Sequence, residues 1–232
     1  MANLNPYNTK EDVSRFENRL TNLIRYLNKH SLISLSENVP NARLQSAVDE
    51  DKVRDELIDY CDTNNIFHEN GSEREFADFY MGGQPINIKI SDCKTADNVS
   101  STKALAYVLT GKLLNKETEQ ADEIERILEG EYGLFPSYMY CDYYFIVFNK
   151  REKKYIWQSY KHLSELSANA DNQPFQVKWG NNYNIVNRTY EEAVKFLLEG
   201  WKQSKDKKIK KEMYVYKKIN SCLEKKENEL KS

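Results

Sequence analysis

Glu75-Phe-Ala-Asp-Phe-Tyr-Met-Gly-Gly-Gln-Pro-Ile-Asn-Ile-Lys-Ile90 holds two alternating segments, Glu75 to Met81 and Ile86 to Ile90, on either side of the breakers Gly82 to Pro85. That pattern predicts a β-hairpin. Side chains alternate across a strand, so Ile86, Ile88 and Ile90 face one way, while Asn87, Lys89 and Ser91 project together from the other. Asp78 lies on the preceding strand, and a short hairpin brings its carboxylate toward Asn87 and Lys89. The bland alternative is a hairpin whose outer face is merely polar.

Upstream, Val13, Phe16, Leu20, Leu23, Ile24 and Leu27 recur at three- and four-residue steps and predict a helix over about 10–30 with Thr9 as its N-cap. A second helix is predicted over about 42–62, with Leu44, Val48, Leu57, Ile58 and Cys61 inward and the acids Asp49, Glu50, Asp51, Asp55 and Glu56 among them. Downstream, helices are predicted over 101–114 and 117–128. Tyr143 to Phe148 reads as a buried central strand, with Lys154 to Tyr160 as its partner across a charged turn, and Phe175 to Trp179 as a further short strand. Helices over 190–203 and about 209–230 close the chain.

At 232 residues the default is a single α/β domain. The formal net charge of -2 gives no ground for a polyanion partner from charge alone, although a balanced total can conceal a positive cleft. Cys61, Cys93, Cys141 and Cys222 show neither zinc nor disulfide spacing and are expected to be reduced thiols, mostly buried. No run approaches the roughly 20 apolar residues that cross a bilayer, and the N-terminal stretch has no signal core, so a cytoplasmic protein without membrane contact is expected.

Hydrolysis of a phosphodiester needs hard oxygen ligands for a divalent cation, a positive group near the attacking water, and a rigid frame. Asp78 offers a carboxylate, Asn87 an amide oxygen and Ile88 a backbone carbonyl for Mg2+, with Mn2+ as substitute. Lys89 is suited to orienting the water and helping to deprotonate it.

Asp78 followed by Asn87-Ile88-Lys89 resembles the PD-(D/E)XK nuclease signature, in which an acid on one strand precedes acid-x-lysine on the next. Ala77 stands where that signature has proline. Asn87 stands where it has the second acid, a substitution some restriction enzymes of the superfamily share. Asp92-Cys93-Lys94 offers a competing register but begins where the alternating isoleucines stop. The wider stretch INIKISDCKTADNVSSTKALAYVLTG, residues 86–111, resembles bacterial type II restriction endonucleases in which an Asn-Ile-Lys strand leads to a Thr-Ala-Asp-Asn loop and a helix. QVKWGNNYNIVNRTYEEA, residues 176–193, is similar to the end of such enzymes.

The resemblance spans roughly residues 42–203. It implies a restriction-endonuclease-like α/β core, a mixed central sheet flanked by helices, with helical extensions at 10–30 and 206–230. EcoRV-like nucleases also place a glutamate on a helix before the first catalytic strand, which makes Glu50 the implied counterpart and Glu56 its alternative. The activity implied is Mg2+-dependent cleavage of double-stranded DNA at a short, palindromic site by a homodimer. A structure-specific repair or recombination nuclease and a catalytically inactive DNA-binding module are the rival readings.

For DNA contact the expected residues are Lys94, Thr95 and Asn98 after the catalytic strand, and Lys178, Asn181, Asn182, Tyr183, Asn184 and Arg188 in the later loop. These amides, cations and aromatics are the side chains that read base edges and hold phosphates. His30, His68 and His162 show no functional spacing, and Trp157 and Trp201 are expected to be core or interface aromatics.

Overall fold

Gly82 and Gly83 make the hairpin turn at φ 58 and 77, a left-handed pair that glycine adopts without a Cβ penalty. They join β2 (Phe79–Met81) to β3 (Gln84–Ser91), with Phe79 opposite Ile86 and Met81 opposite Gln84. The turn is two residues shorter than expected, because Gln84 and Pro85 already belong to the strand. Asp78 lies just before β2, and Glu75 falls outside the described residues. The computed structural model describes residues 4, 9–31, 33, 42–71, 76–99, 101–129, 137–170 and 174–231.

With β1 (His68–Asn70), β5 (Tyr144–Asn149) and β6 (Lys154–Ser159), the hairpin forms a five-stranded mixed sheet in the order β1-β2-β3-β5-β6. β3 and β5 run parallel, with Asn87 beside Phe145 and Lys89 beside Val147, and the remaining neighbours are antiparallel. A parallel pair needs a crossover. Here α3 (Thr102–Thr110) and α4 (Glu117–Leu128) lie within it. α3 ends at Gly111 (φ 70), short of the expected residue 114. Every residue of β5 is buried, which explains why it reads as one apolar run rather than an alternation. A second, antiparallel sheet of β4 (Asp97–Val99), β8 (Phe175–Val177) and β7 (Ser167–Ala168) has the order β4-β8-β7. Trp179, expected at the end of β8, instead opens a 3-10 turn.

Apolar layers cover both faces of the central sheet. On one, Ile86, Ile88 and Ile90 join Tyr144, Ile146 and Phe148 against α1 (Lys10–His30) and α2 (Ala42–Thr63). Phe16, Leu20, Leu23 and Leu27 supply the α1 stripe, each burial contributing about 1.5–3 kcal/mol. Thr9 caps α1 by accepting from the Asp12 amide at 3.1 Å. From α2 the inward residues are Val53, Leu57, Tyr60 and Cys61; Val48, expected inward, is exposed, and the Leu44 side chain lies outside the described residues. On the other face, Tyr143, Phe145 and Val147 pack with α3, the second sheet, Trp179 and α5 (Tyr190–Lys231). The two C-terminal helices expected from sequence are one continuous α5. Cys61, Cys93 and Cys141 are buried free thiols and Cys222 an exposed one.

Polar ties link α1 to the second layer. His162 Nε2 lies 2.9 Å from Glu17 Oε1, and its Nδ1 lies 3.1 Å from the Val186 carbonyl. Burial pushes His162 down, but the Glu17 carboxylate, the Asp142 charge and the Val186 carbonyl outweigh it and hold His162 above its ordinary 6.5. A histidine raised on folding contributes stability that is complete below that ordinary value and is lost as pH rises through the raised one. Urea unfolding midpoints should therefore fall from pH 6 to pH 8, and Glu17→Gln should flatten that fall. Equal slopes for the two proteins would show that the pair does not carry the dependence.

Candidate active site

Asp78 is held from both sides of its backbone: its N–H donates to the Ile86 carbonyl at 3.0 Å, and its carbonyl accepts from the Gly71 N–H at 3.0 Å. Its carboxylate reaches further along β3, where Oδ2 accepts the Ile88 N–H at 2.8 Å. That reach is open because β2 pairs with β3 only as far as Ile86, whereas β5 follows β3 to Ser91. Within a strand the N–H and C=O of one residue point to the same side. Ile88 thus presents its carbonyl at the same open edge, next to the Asp78 carboxylate.

Asn87 and Lys89 project from the face opposite the isoleucines, as the alternation requires. That face is not open solvent at every position: Asn87 is 7% and Ser91 2% exposed, whereas Lys89 is half-buried. Lys89 lies roughly 6–7 Å beyond Asn87 along the strand. The buried Asn87 Oδ1 has no hydrogen-bond partner, a state that costs about 1–3 kcal/mol unless a donor or cation fills it. Tyr143, whose phenol donates to the Phe76 carbonyl, lies beside the Asn87 amide; burial and the Asp78 charge push that phenol well above its usual range.

The oxygens offered along this stretch of β3 are one carboxylate, one unpartnered amide oxygen and one edge carbonyl. Such hard donors suit Mg2+, which commonly takes one or two carboxylates and fills its shell with water and phosphate oxygens. Among the described residues, no three His, Cys, Asp or Glu side chains are grouped to hold a metal ion.

Glu50 is placed differently. It lies half-buried on α2, which packs on the isoleucine face of the sheet, so this packing does not by itself bring Glu50 to Asp78. Glu56, the alternative, accepts from Ser31 Oγ and Tyr155 Oη, each at 2.8 Å, and so ties α1, α2 and β6 together. Asp92 is a loop cap: its Oδ1 accepts from the Lys94 and Thr95 amides and the Thr95 hydroxyl. These bonds hold its carboxyl below the usual range. The Asp92-Cys93-Lys94 register thus lies beyond β3, with Cys93 at φ 60.

Sequence reasoning assigned no role to Asp97, which β4 carries back against the same sheet face. Burial raises its carboxyl, while Ser91 and the Lys89 ammonium act in the opposite sense. The stretch containing it was legible, but only the return of β4 beside β8 shows that Asp97 faces Lys89 and Ser91.

One of the expected DNA contacts, Asn182, needs correcting, and a second, Arg188, is half-buried. Asn182 is fully buried: its Oδ1 accepts from the Ser164 and Glu165 amides and its Nδ2 donates to the Lys178 carbonyl. Arg188 donates to the Lys161 and Leu163 carbonyls and stacks 4.2 Å from the Phe196 ring centroid. Both hold loops in place. Asn98 is exposed but accepts from Asn169 and Gln176, and Asn181 donates to Glu165 at 2.5 Å. Lys94, Thr95, Lys178, Tyr183 and Asn184 are exposed.

The surface loops lie together. The Gly180 N–H donates to the Cys93 carbonyl at 3.1 Å, and a Cβ on Gly180 would come within 2.5 Å of that same oxygen. Glycine is what permits this approach. Among the described residues, no helix is long and apolar enough to cross a membrane. No protein-family model matches the chain, and a search of curated proteins finds no match.

Proposed function

We propose that the chain is a Mg2+-dependent DNA endonuclease of the type II restriction class, acting as a homodimer on a short, palindromic duplex site. The observation that carries this reading is the Asp78 carboxylate docked on the amide of Ile88, the residue between Asn87, whose buried oxygen lacks a partner, and Lys89. The mixed sheet with helices on both faces agrees with a restriction-endonuclease-like core at the level of fold class. Two-fold symmetric DNA is matched by a two-fold symmetric protein, which supports the dimer.

Asp78, Asn87 and the Ile88 carbonyl would hold the cation, which supplies Lewis-acid polarisation of the phosphate and a more acidic water. The protein's own part is orientation. Asp78 is fixed through its backbone and one carboxylate oxygen, so the donor set is built before substrate arrives. Lys89, two residues beyond Asn87 on the same central strand, would stabilise charge on the scissile phosphate and orient the attacking water.

The inactive DNA-binding module has one observation in its favour, the absence of a three-acid cluster among the described residues. The discriminating experiment uses Lys89→Ala. The endonuclease reading expects duplex binding within about threefold of wild type and cleavage reduced by about 100-fold or more, the size of an electrostatic contact of about 2.7 kcal/mol. Cleavage at the wild-type rate would remove Lys89 from the chemistry. Binding by both proteins without cleavage in Mg2+ or Mn2+ would establish the binding module.

A further inference from the structure

The C-terminal ends of the parallel strands β3 and β5 open onto three loops, residues 92–96, 150–153 and 178–185. Backbone bonds stitch them into one surface. The Lys150 N–H donates to the Ser91 carbonyl at 2.9 Å, and the Gly180 N–H to the Cys93 carbonyl at 3.1 Å. Asn149 ties the second loop to the third: its Nδ2 donates to the Tyr183 hydroxyl at 2.5 Å, and its Oδ1 accepts the Arg151 and Glu152 amides. The cations on this surface, Lys94, Lys150, Arg151, Lys153 and Lys178, are all exposed. Against these five cations the three loops hold two acids, the exposed Glu152 and Asp92, which spends one carboxylate oxygen on its own loop and lies near Lys150.

A chain of net charge -2 thus concentrates positive charge at the end of the strand that carries Asn87 and Lys89. Open α/β sheets bind ligands at the carboxyl ends of their parallel strands. We infer that this surface grips the phosphate backbone of duplex DNA, with the β5–β6 turn Lys150-Arg151-Glu152-Lys153 as a phosphate clamp beside the cleavage site. The inference rests on the endonuclease reading and names the DNA-binding face that reading requires. Exposed Tyr183, bonded to Asn149 at the base of the turn, lies beside the clamp and suits groove contact. A basic turn on a rigid two-stranded frame fixes the register of the duplex without reading its sequence.

The test is equilibrium binding of a labelled 30-base-pair duplex across a salt series, in Ca2+ to suppress cleavage. The wild-type protein is compared with a triple variant Lys150→Gln, Arg151→Gln, Lys153→Asn. Asparagine is chosen at 153 because the backbone there has φ 53. A control triple variant, Lys207→Gln, Lys210→Gln, Lys211→Gln, makes the same charge change on α5. If three phosphates are gripped, the clamp variant makes the negative slope of log affinity against log salt shallower by roughly 2.7, at about 0.9 per phosphate, while the control keeps the wild-type slope. Equal effects from both variants, or an unchanged slope for the clamp variant, would overturn the clamp while leaving the endonuclease reading standing. Failure of the wild-type protein to bind the duplex, or tighter binding of single-stranded RNA, would overturn both.

Discussion

Asp78→Asn is expected to keep the fold and reduce DNA cleavage by about 1000-fold or more. Asparagine is nearly isosteric and retains an acceptor for the Ile88 N–H, so the 2.8 Å contact that holds the side chain against β3 survives. What disappears is the one formal negative charge of the proposed donor set, since Asn87 contributes only a dipole and Ile88 only a carbonyl. Losing about 4 kcal/mol of cation-dependent stabilisation corresponds to roughly three powers of ten in rate. The comparison requires single-turnover cleavage alongside a thermal melt. Unchanged melting with lost cleavage supports a chemical role, whereas a melting temperature lowered by many degrees would make Asp78 a structural residue and withdraw it from the site.

Asp142→Ala is expected to give the largest loss of stability among single substitutions of buried polar groups. Asp142 is 4% exposed; its Oδ1 accepts the Tyr143 N–H at 2.7 Å and its Oδ2 the Ser159 hydroxyl at 2.6 Å. The same carboxylate offsets the charge of Lys161, whose ammonium donates to the Met139 and Cys141 carbonyls. Burial pushes the Asp142 carboxyl up and the Lys161 ammonium down, and each charge partly restores the other. Alanine leaves a buried N–H and a buried hydroxyl without partners and Lys161 without its counter-charge, at a cost of about 3–5 kcal/mol. For a chain of this size that is a fall in melting temperature of roughly 6–20 °C. Ser159→Ala removes one donor and should cost only about 1 kcal/mol. A loss below that of Ser159→Ala would show that Asp142 does not organise this end of the sheet.

The parts of the fold legible in the sequence are those with a period to read. α1 is visible because Phe16, Leu20, Leu23 and Leu27 hold one face, and its cap because Thr9, a residue type that caps helices, stands directly before it. β3 was visible because three isoleucines alternate, and the same alternation placed Asn87 and Lys89 side by side. β1, β4 and β7 span only two or three residues, His-Glu-Asn, Asp-Asn-Val and Ser-Ala, too short for any period and dependent on their partners for existence. α5 was divided in two because Gln203 to Lys208 carries no apolar stripe, yet nothing there breaks a helix: neither proline nor glycine interrupts it.

The site was legible along one strand and obscure wherever it depended on other elements. Spacing predicted the approach of Asp78 to Asn87, but not that one carboxylate oxygen would be taken by the Ile88 amide. Asn182 looks like a DNA contact because composition reports polarity and not direction; the fold turns it inward to loop carbonyls and amides. The cations of the β5–β6 turn were overlooked for the complementary reason. They read as an ordinary charged turn until the parallel pairing of β3 with β5 placed Lys150 beside Ser91.

The central claim is tested most directly by incubating the purified protein with bacteriophage and plasmid DNA, in Mg2+ and separately in a chelator, and resolving the products on a gel. Discrete fragments in Mg2+ and intact DNA in the chelator are the predicted result. Intact DNA in both Mg2+ and Mn2+, or the same cleavage with the chelator present, would contradict it.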